Sequence, residues 1–170
     1  MLKSLTLLAL ATLPLAACGG ADEAGETTDV DAGISTASAA AYWSDTPIMG
    51  AREIRVARDG VKDGEAVVLR GTLQEFGELS TFRLVDDALK DCSETHDDGC
   101  TTPWDYCCAD PVEVQQWTVN VEFLEEGLPG DWSLKGKHGL DRLSEVIVAG
   151  TFRKDEAGNL RLEADRMSLQ

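Results

Sequence analysis

The amino-acid sequence predicts an all-β domain, a small five-stranded Greek-key barrel with one short helix and a cysteine-rich loop insertion. Three observations carry this reading. Apolar and polar residues alternate with a period of two in several separate stretches, the pattern of half-buried strands. A glycine-containing turn joins the last two of these stretches, and no internal repeat or long helical pattern competes.

The elements follow in chain order. Residues 67–73 (VVLRGTL) place Val67, Leu69, Gly71 and Leu73 on one face of a first strand, and Gly71 within it points to a bulge or a sharp coil of the sheet. Phe82 and Leu84 alternate with Thr81 and Arg83 in a second strand, with Asp86 and Asp87 as its exit turn. Trp117, Val119, Val121 and Phe123 alternate with Thr118, Asn120 and Glu122 in the cleanest strand of the chain. Leu140 and Leu143 fit one helical turn ahead of a fourth strand at residues 146–152 (VIVAGTF). Residues 155–159 (DEAGN) then turn the chain into a hairpin with Leu160, Leu162 and Ala164. Five strands with a short helix before the fourth match the OB-fold barrel.

Residues 62–87 and 143–166 resemble the first two and last two strands of OB-fold domains. The similarity is greatest to small secreted bacterial OB-fold domains, in which a valine and a Lys-Asp-Gly turn precede a strand with a central glycine; here these are Val61, Lys62, Asp63, Gly64 and Gly71. The middle of the chain is similar to a group of bacterial secreted lipoproteins marked by a Thr-Pro-Trp-Asp-Tyr-Cys-Cys signature, present at residues 102–108. That resemblance implies the fold and an exported address. It brings no assigned activity, and a fold by itself does not supply one.

The N-terminus carries its own signal. Residues 1–17 hold one positive charge, Lys3, then an apolar run, then Leu15, Ala16 and Ala17 ahead of Cys18. This is the order of a secretory signal peptide, and its end resembles the lipobox of bacterial lipoproteins, in which the cysteine thiol is lipidated and becomes the first mature residue. The run contains Pro14 and is too short to span a bilayer. Two or three acyl chains, each methylene worth about 0.8 kcal/mol, anchor a protein effectively for good. The expected partner is therefore the membrane, through a lipid anchor, and the expected address is the cell envelope, on the periplasmic face of the outer membrane in a cell with two membranes. Residues 18–46 hold six acids and no Lys or Arg, and read as a disordered acidic tether from which Tyr42 and Trp43 dock onto the domain at residues 47–170.

Charge narrows the partners further. The chain has 31 Asp and Glu against 15 Lys and Arg, a formal net charge of −16. Proteins that bind nucleic acids neutralise phosphates with clustered bases, so DNA and RNA are not expected partners; an envelope protein or a small ligand is.

The cysteine-rich insertion at residues 88–111 is the most distinctive feature. It holds Cys92, Cys100, Cys107 and Cys108, every cysteine of the domain at residues 47–170, with His96 between the first two. Four thiols exported to an oxidising compartment are expected to pair. Adjacent cysteines bridge one another only with strain, so Cys92 and Cys100 are each expected to join Cys107 or Cys108. The alternatives are a soft-metal site for zinc or copper, with His96 as a further ligand, and a redox-active vicinal pair. Trp104, Asp105 and Tyr106 read first as packing over the stapled loop and second as a binding surface.

No phosphate loop, dinucleotide fingerprint or serine elbow is present, and neither His96 nor His138 sits in a catalytic motif. The sequence thus points to a non-catalytic binding or interaction module without a cofactor, anchored in the cell envelope. An envelope metal-binding or thiol-redox accessory protein is the alternative.

Overall fold

A computed structural model of the chain describes residues 36–92, 102 and 104–170. Cys18, His96 and Cys100 lie outside the described residues. The elements in order are α1 (Thr36–Tyr42), β1 (Arg52–Glu53), α2 (Ile54–Gly60), β2 (Ala66–Phe76), β3 (Thr81–Val85), α3 (Pro111–Gln116), β4 (Thr118–Glu125), β5 (Leu128–Pro129), β6 (Glu145–Lys154) and β7 (Leu160–Leu169). No helix among the described residues is long and apolar enough to cross a membrane.

Five strands close into a barrel in the order β2, β3, β4, β7, β6 and back to β2. The pairing of β4 with β7 is parallel and the other four are antiparallel. This is the OB-fold-like Greek-key barrel that the alternating stretches predict. Closure depends on β2, which pairs with β6 from Ala66 to Thr72 and with β3 from Thr72 to Phe76. A strand that serves two neighbours in succession must coil sharply, and Gly71 sits at the switch. A Cβ there would overlap the carbonyl oxygen of Val85. The coil expected at Gly71 is present, while the bulge falls three residues later: the register passes from Leu73 opposite Leu84 to Glu75 opposite Arg83, leaving Gln74 as the extra residue.

The inward faces are those of the alternation. Leu69, Leu73, Leu84, Val119, Val121, Phe123, Val146, Val148, Phe152 and Leu162 are all fully buried in one core. Removing such a side chain from water is worth about 1.5–3 kcal/mol, so the core specifies register as well as stability: a one-residue slip would turn every one of these residues outward. Ile54 and Ala57 of α2 join the same core.

Three expectations are corrected. Trp117 is not in the third barrel strand. Asp110 caps α3 by accepting from the Val112 N–H at 2.7 Å, Pro111 opens the helix, and Trp117 ends it, its N–H bonded to the Glu113 carbonyl at 2.8 Å. The helical turn expected at Leu140 and Leu143 is absent, because Gly136, His138, Gly139 and Leu143 all adopt positive φ, which no right-handed helix accommodates. Leu140 is still buried in the core, held by turns.

The third correction concerns the tether, whose expected boundary at residue 46 is too late. The Ala-rich stretch at residues 36–42 has high helix propensity and forms α1. Ala39 is buried, the Tyr42 hydroxyl donates to the Leu124 carbonyl at 3.1 Å, and the Ser44 N–H donates to the Met167 carbonyl at 2.8 Å. Tyr42 stacks on Trp132, with ring centroids 5.5 Å apart. Trp43 stacks on His138 at 4.2 Å, in a turn where Gly136, His138 and Gly139 adopt positive φ.

Gly71→Ala should cost about 1–3 kcal/mol by overpacking the β2–β3 contact. Urea unfolding of the variant checks this, with an unchanged midpoint counting against the closure argument.

Candidate functional site

The insertion leaves the barrel at β3 and is held by its own small core. Val85, Leu89 and Tyr106 are buried together, with Val114 and Trp117 packed against them. At its root Asp86 is fully buried and accepts from two backbone donors, Arg55 N–H at 2.9 Å and Ala88 N–H at 3.0 Å. One carboxylate thus ties the exit of β3 to the start of α2. Burial pushes its neighbour Asp87 above the usual carboxylate range, against a hydrogen bond from the Thr72 hydroxyl.

The Trp104–Asp105–Tyr106 run is divided by the fold. Tyr106 points into the satellite core and supplies packing. Asp105 accepts the Tyr106 N–H on its side chain at 2.8 Å and the Cys92 N–H on its carbonyl at 2.9 Å, which pins the two ends of the insertion together. Trp104 is half-buried beneath the guanidinium of Arg142, 4.6 Å from its ring centroid.

That pinning brings three sulfurs into one place. Cys92 Sγ lies 3.2 Å from Cys107 Sγ and 3.6 Å from Cys108 Sγ, and the latter two are 3.7 Å apart. A disulfide requires about 2.05 Å, so no bond joins these three, and the expected pairing of Cys92 with Cys107 or Cys108 is not made. The reason is geometric: both vicinal thiols face Cys92 at once, so the three form a triangle instead of a pair. Cys92 is buried beneath while Cys107 and Cys108 are exposed. Hydrogen bonding to Cys92, then to Cys108, pushes the Cys107 thiol up to about 12 from its ordinary 9.0.

A groove of about 970 Å³ runs beside this cluster over the outer face of the barrel, lined by residues of β3, β4, β6 and β7, of α3 and of the Asp155–Asn159 turn. A smaller hollow of about 380 Å³ continues it toward the β2–β3 turn and shares Arg83 and Asn120. The register explains the floor. Arg83 is opposite Asn120, Asn120 opposite Arg161, and Arg161 opposite Arg153, so three arginines form a row across four strands. The directly opposed Arg153 and Arg161 are held together by Glu163, which accepts from both at 2.8 and 3.0 Å. Among the described residues Arg83 has no ion pair. Buried Gln74, the bulge residue, also lines the groove, and its side-chain oxygen has no hydrogen-bond partner among the described residues.

Sequence reasoning named none of Gln74, Asn120, Arg153 and Arg161 as a site residue. Their only sequence signal was an outward position in an alternating strand, which most surface residues share.

Comparison with protein-family models finds no match, and comparison with curated proteins finds none. Among solved structures, the chain is similar to the hypothetical protein ygiW from E. coli, with 13% identity and a TM-score of 0.39 over 75% of this chain and 90% of that one. It is also similar to aspartyl tRNA synthetase from Entamoeba histolytica, with 10% identity and a TM-score of 0.43 over 75% of this chain and 25% of that one.

Asp86→Ala should destabilise the chain by about 1–3 kcal/mol, since it removes a buried carboxylate that accepts from two part-buried backbone N–H groups. Thermal and urea unfolding measure the loss; a change below about 0.5 kcal/mol would remove Asp86 as the anchor of the insertion.

Proposed function

We propose that the chain is a cell-envelope binding module, lipid-anchored through Cys18 and without catalytic chemistry of its own, whose ligand lies in the groove across β3 and β4. The observation that carries this reading is the groove floor, lined both by the Arg83 guanidinium, which has no ion pair among the described residues, and by buried Gln74, whose side-chain oxygen has no partner among them. OB-fold barrels bind extended polymers on this face and between the flanking loops. An arginine fork suits a carboxylate, and an orphaned amide oxygen calls for a donor. A short polar ligand bearing a carboxylate and hydrogen-bond donors, of the acidic-peptide type, meets both. A long polyanion does not, because the surrounding chain is acidic.

The anchor and the groove are tested separately. Cys18→Ala should abolish lipid labelling and move the chain from the membrane to the soluble fraction; retention in the membrane in high salt would exclude the lipoprotein reading. For the groove, short Glu-containing peptides titrated into isotopically labelled chain should shift the amides of Arg83, Asn120 and Arg161, and Arg83→Ala should weaken the response about tenfold. Shifts scattered over the barrel, or unaffected by the substitution, would remove the groove as the binding site.

A further inference from the structure

We propose that Cys92, Cys107 and Cys108 form a three-thiolate site for a soft, closed-shell cation, copper(I) or zinc(II), separate from the ligand groove reading and independent of it. The three Sγ atoms define a triangle with sides of 3.2, 3.6 and 3.7 Å. Such a triangle has a circumradius of about 2.0 Å, so an ion at the usual thiolate distance of about 2.3 Å from all three sits about 1 Å above their plane. The ligands are therefore already spaced for a common centre before any ion arrives. A pair poised for a disulfide would instead show one short approach and one outlying sulfur.

The chemistry of the set selects the ion. All three donors are sulfur, which favours copper(I) and zinc over calcium or magnesium, whose shells are oxygen. Three thiolates complete a trigonal copper(I) centre, and zinc adds a fourth ligand. The cluster is also held from outside. The Asp105 carbonyl accepts from the Cys92 N–H, and Tyr106, locked in the satellite core, fixes the strand of chain that ends in the vicinal pair. Supporting contacts of this kind orient metal ligands and tune their affinity. Cys107 and Cys108 are exposed, so an ion can enter from solvent without opening the barrel, and Cys107 also borders the groove. Binding releases the thiol protons to solvent, with no change in oxidation state of sulfur or metal.

The test uses the full chain, isolated from cells without reductant and then reduced under argon. Copper(I) presented in a coloured chelator complex, and zinc(II) presented in another, should each give up about one ion per chain to the wild type. Cys107→Ser and Cys108→Ser, at exposed positions the barrel core does not use, should each lower that affinity at least tenfold while leaving the far-ultraviolet circular dichroism unchanged. X-ray absorption of the loaded chain should show sulfur scatterers at about 2.3 Å. No uptake of either ion, uptake indifferent to both substitutions, or an oxygen and nitrogen shell alone would overturn the proposal. A non-reducing peptide map that finds Cys92 bonded to Cys107 or Cys108 in the isolated chain would overturn it as well, leaving the cluster as a staple.

Discussion

The double pairing of β2 is the constraint on which the rest of the molecule depends. An open five-stranded sheet would leave two edges of unpaired backbone groups, each a template for association with another chain. Because β2 gives its first half to β6 and its second half to β3, neither edge remains. Sharp coiling at the switch leaves no room for a side chain where Gly71 meets Val85, and a second close approach occurs where Gly150 passes the Glu163 carbonyl. Residues with a Cβ would hold the strands apart at both places. The barrel is closed by what these two positions lack.

Closure also decides what faces out. The same register that buries Leu84, Val121 and Leu162 aligns Arg83, Asn120 and Arg161 on the opposite surface. Like charges brought side by side are unfavourable, and the chain offsets this with Glu163 between Arg153 and Arg161. The result is a row of bases, largely offset by Glu163 and by Glu122, in a protein with about twice as many acids as bases. Arg83 stands outside the compensation, which is why it, and not its better-paired neighbours, is the group with a fork to offer a ligand.

The insertion follows a different logic. It adds little to the barrel core and instead builds a second one from Val85, Leu89 and Tyr106. Its root is fixed by the buried Asp86 carboxylate, and its two arms are joined by the backbone hydrogen bond from Cys92 to Asp105, with a second from Asp105 to Thr102. These contacts position three sulfurs without a bond between them.

The sequence by itself determined the barrel. Period-two alternation is a local property, and the inward sets from Val67 to Leu73, from Phe82 to Leu84, from Val119 to Phe123 and from Leu160 to Ala164 are buried as their spacing requires. It located the insertion for the same reason, since cysteines and turn residues cluster there along the chain. Local patterns misled where tertiary contacts or backbone geometry overrode them: Trp117 has the spacing of a strand residue but ends a helix, and Leu140 has the spacing of a helix in a segment with four positive φ values. Only the tertiary structure decided which outward residues share a surface, that Gln74 takes the bulge, and that three thiols converge. Each of those depends on register between strands or on contacts across a folded loop, and a linear sequence records neither.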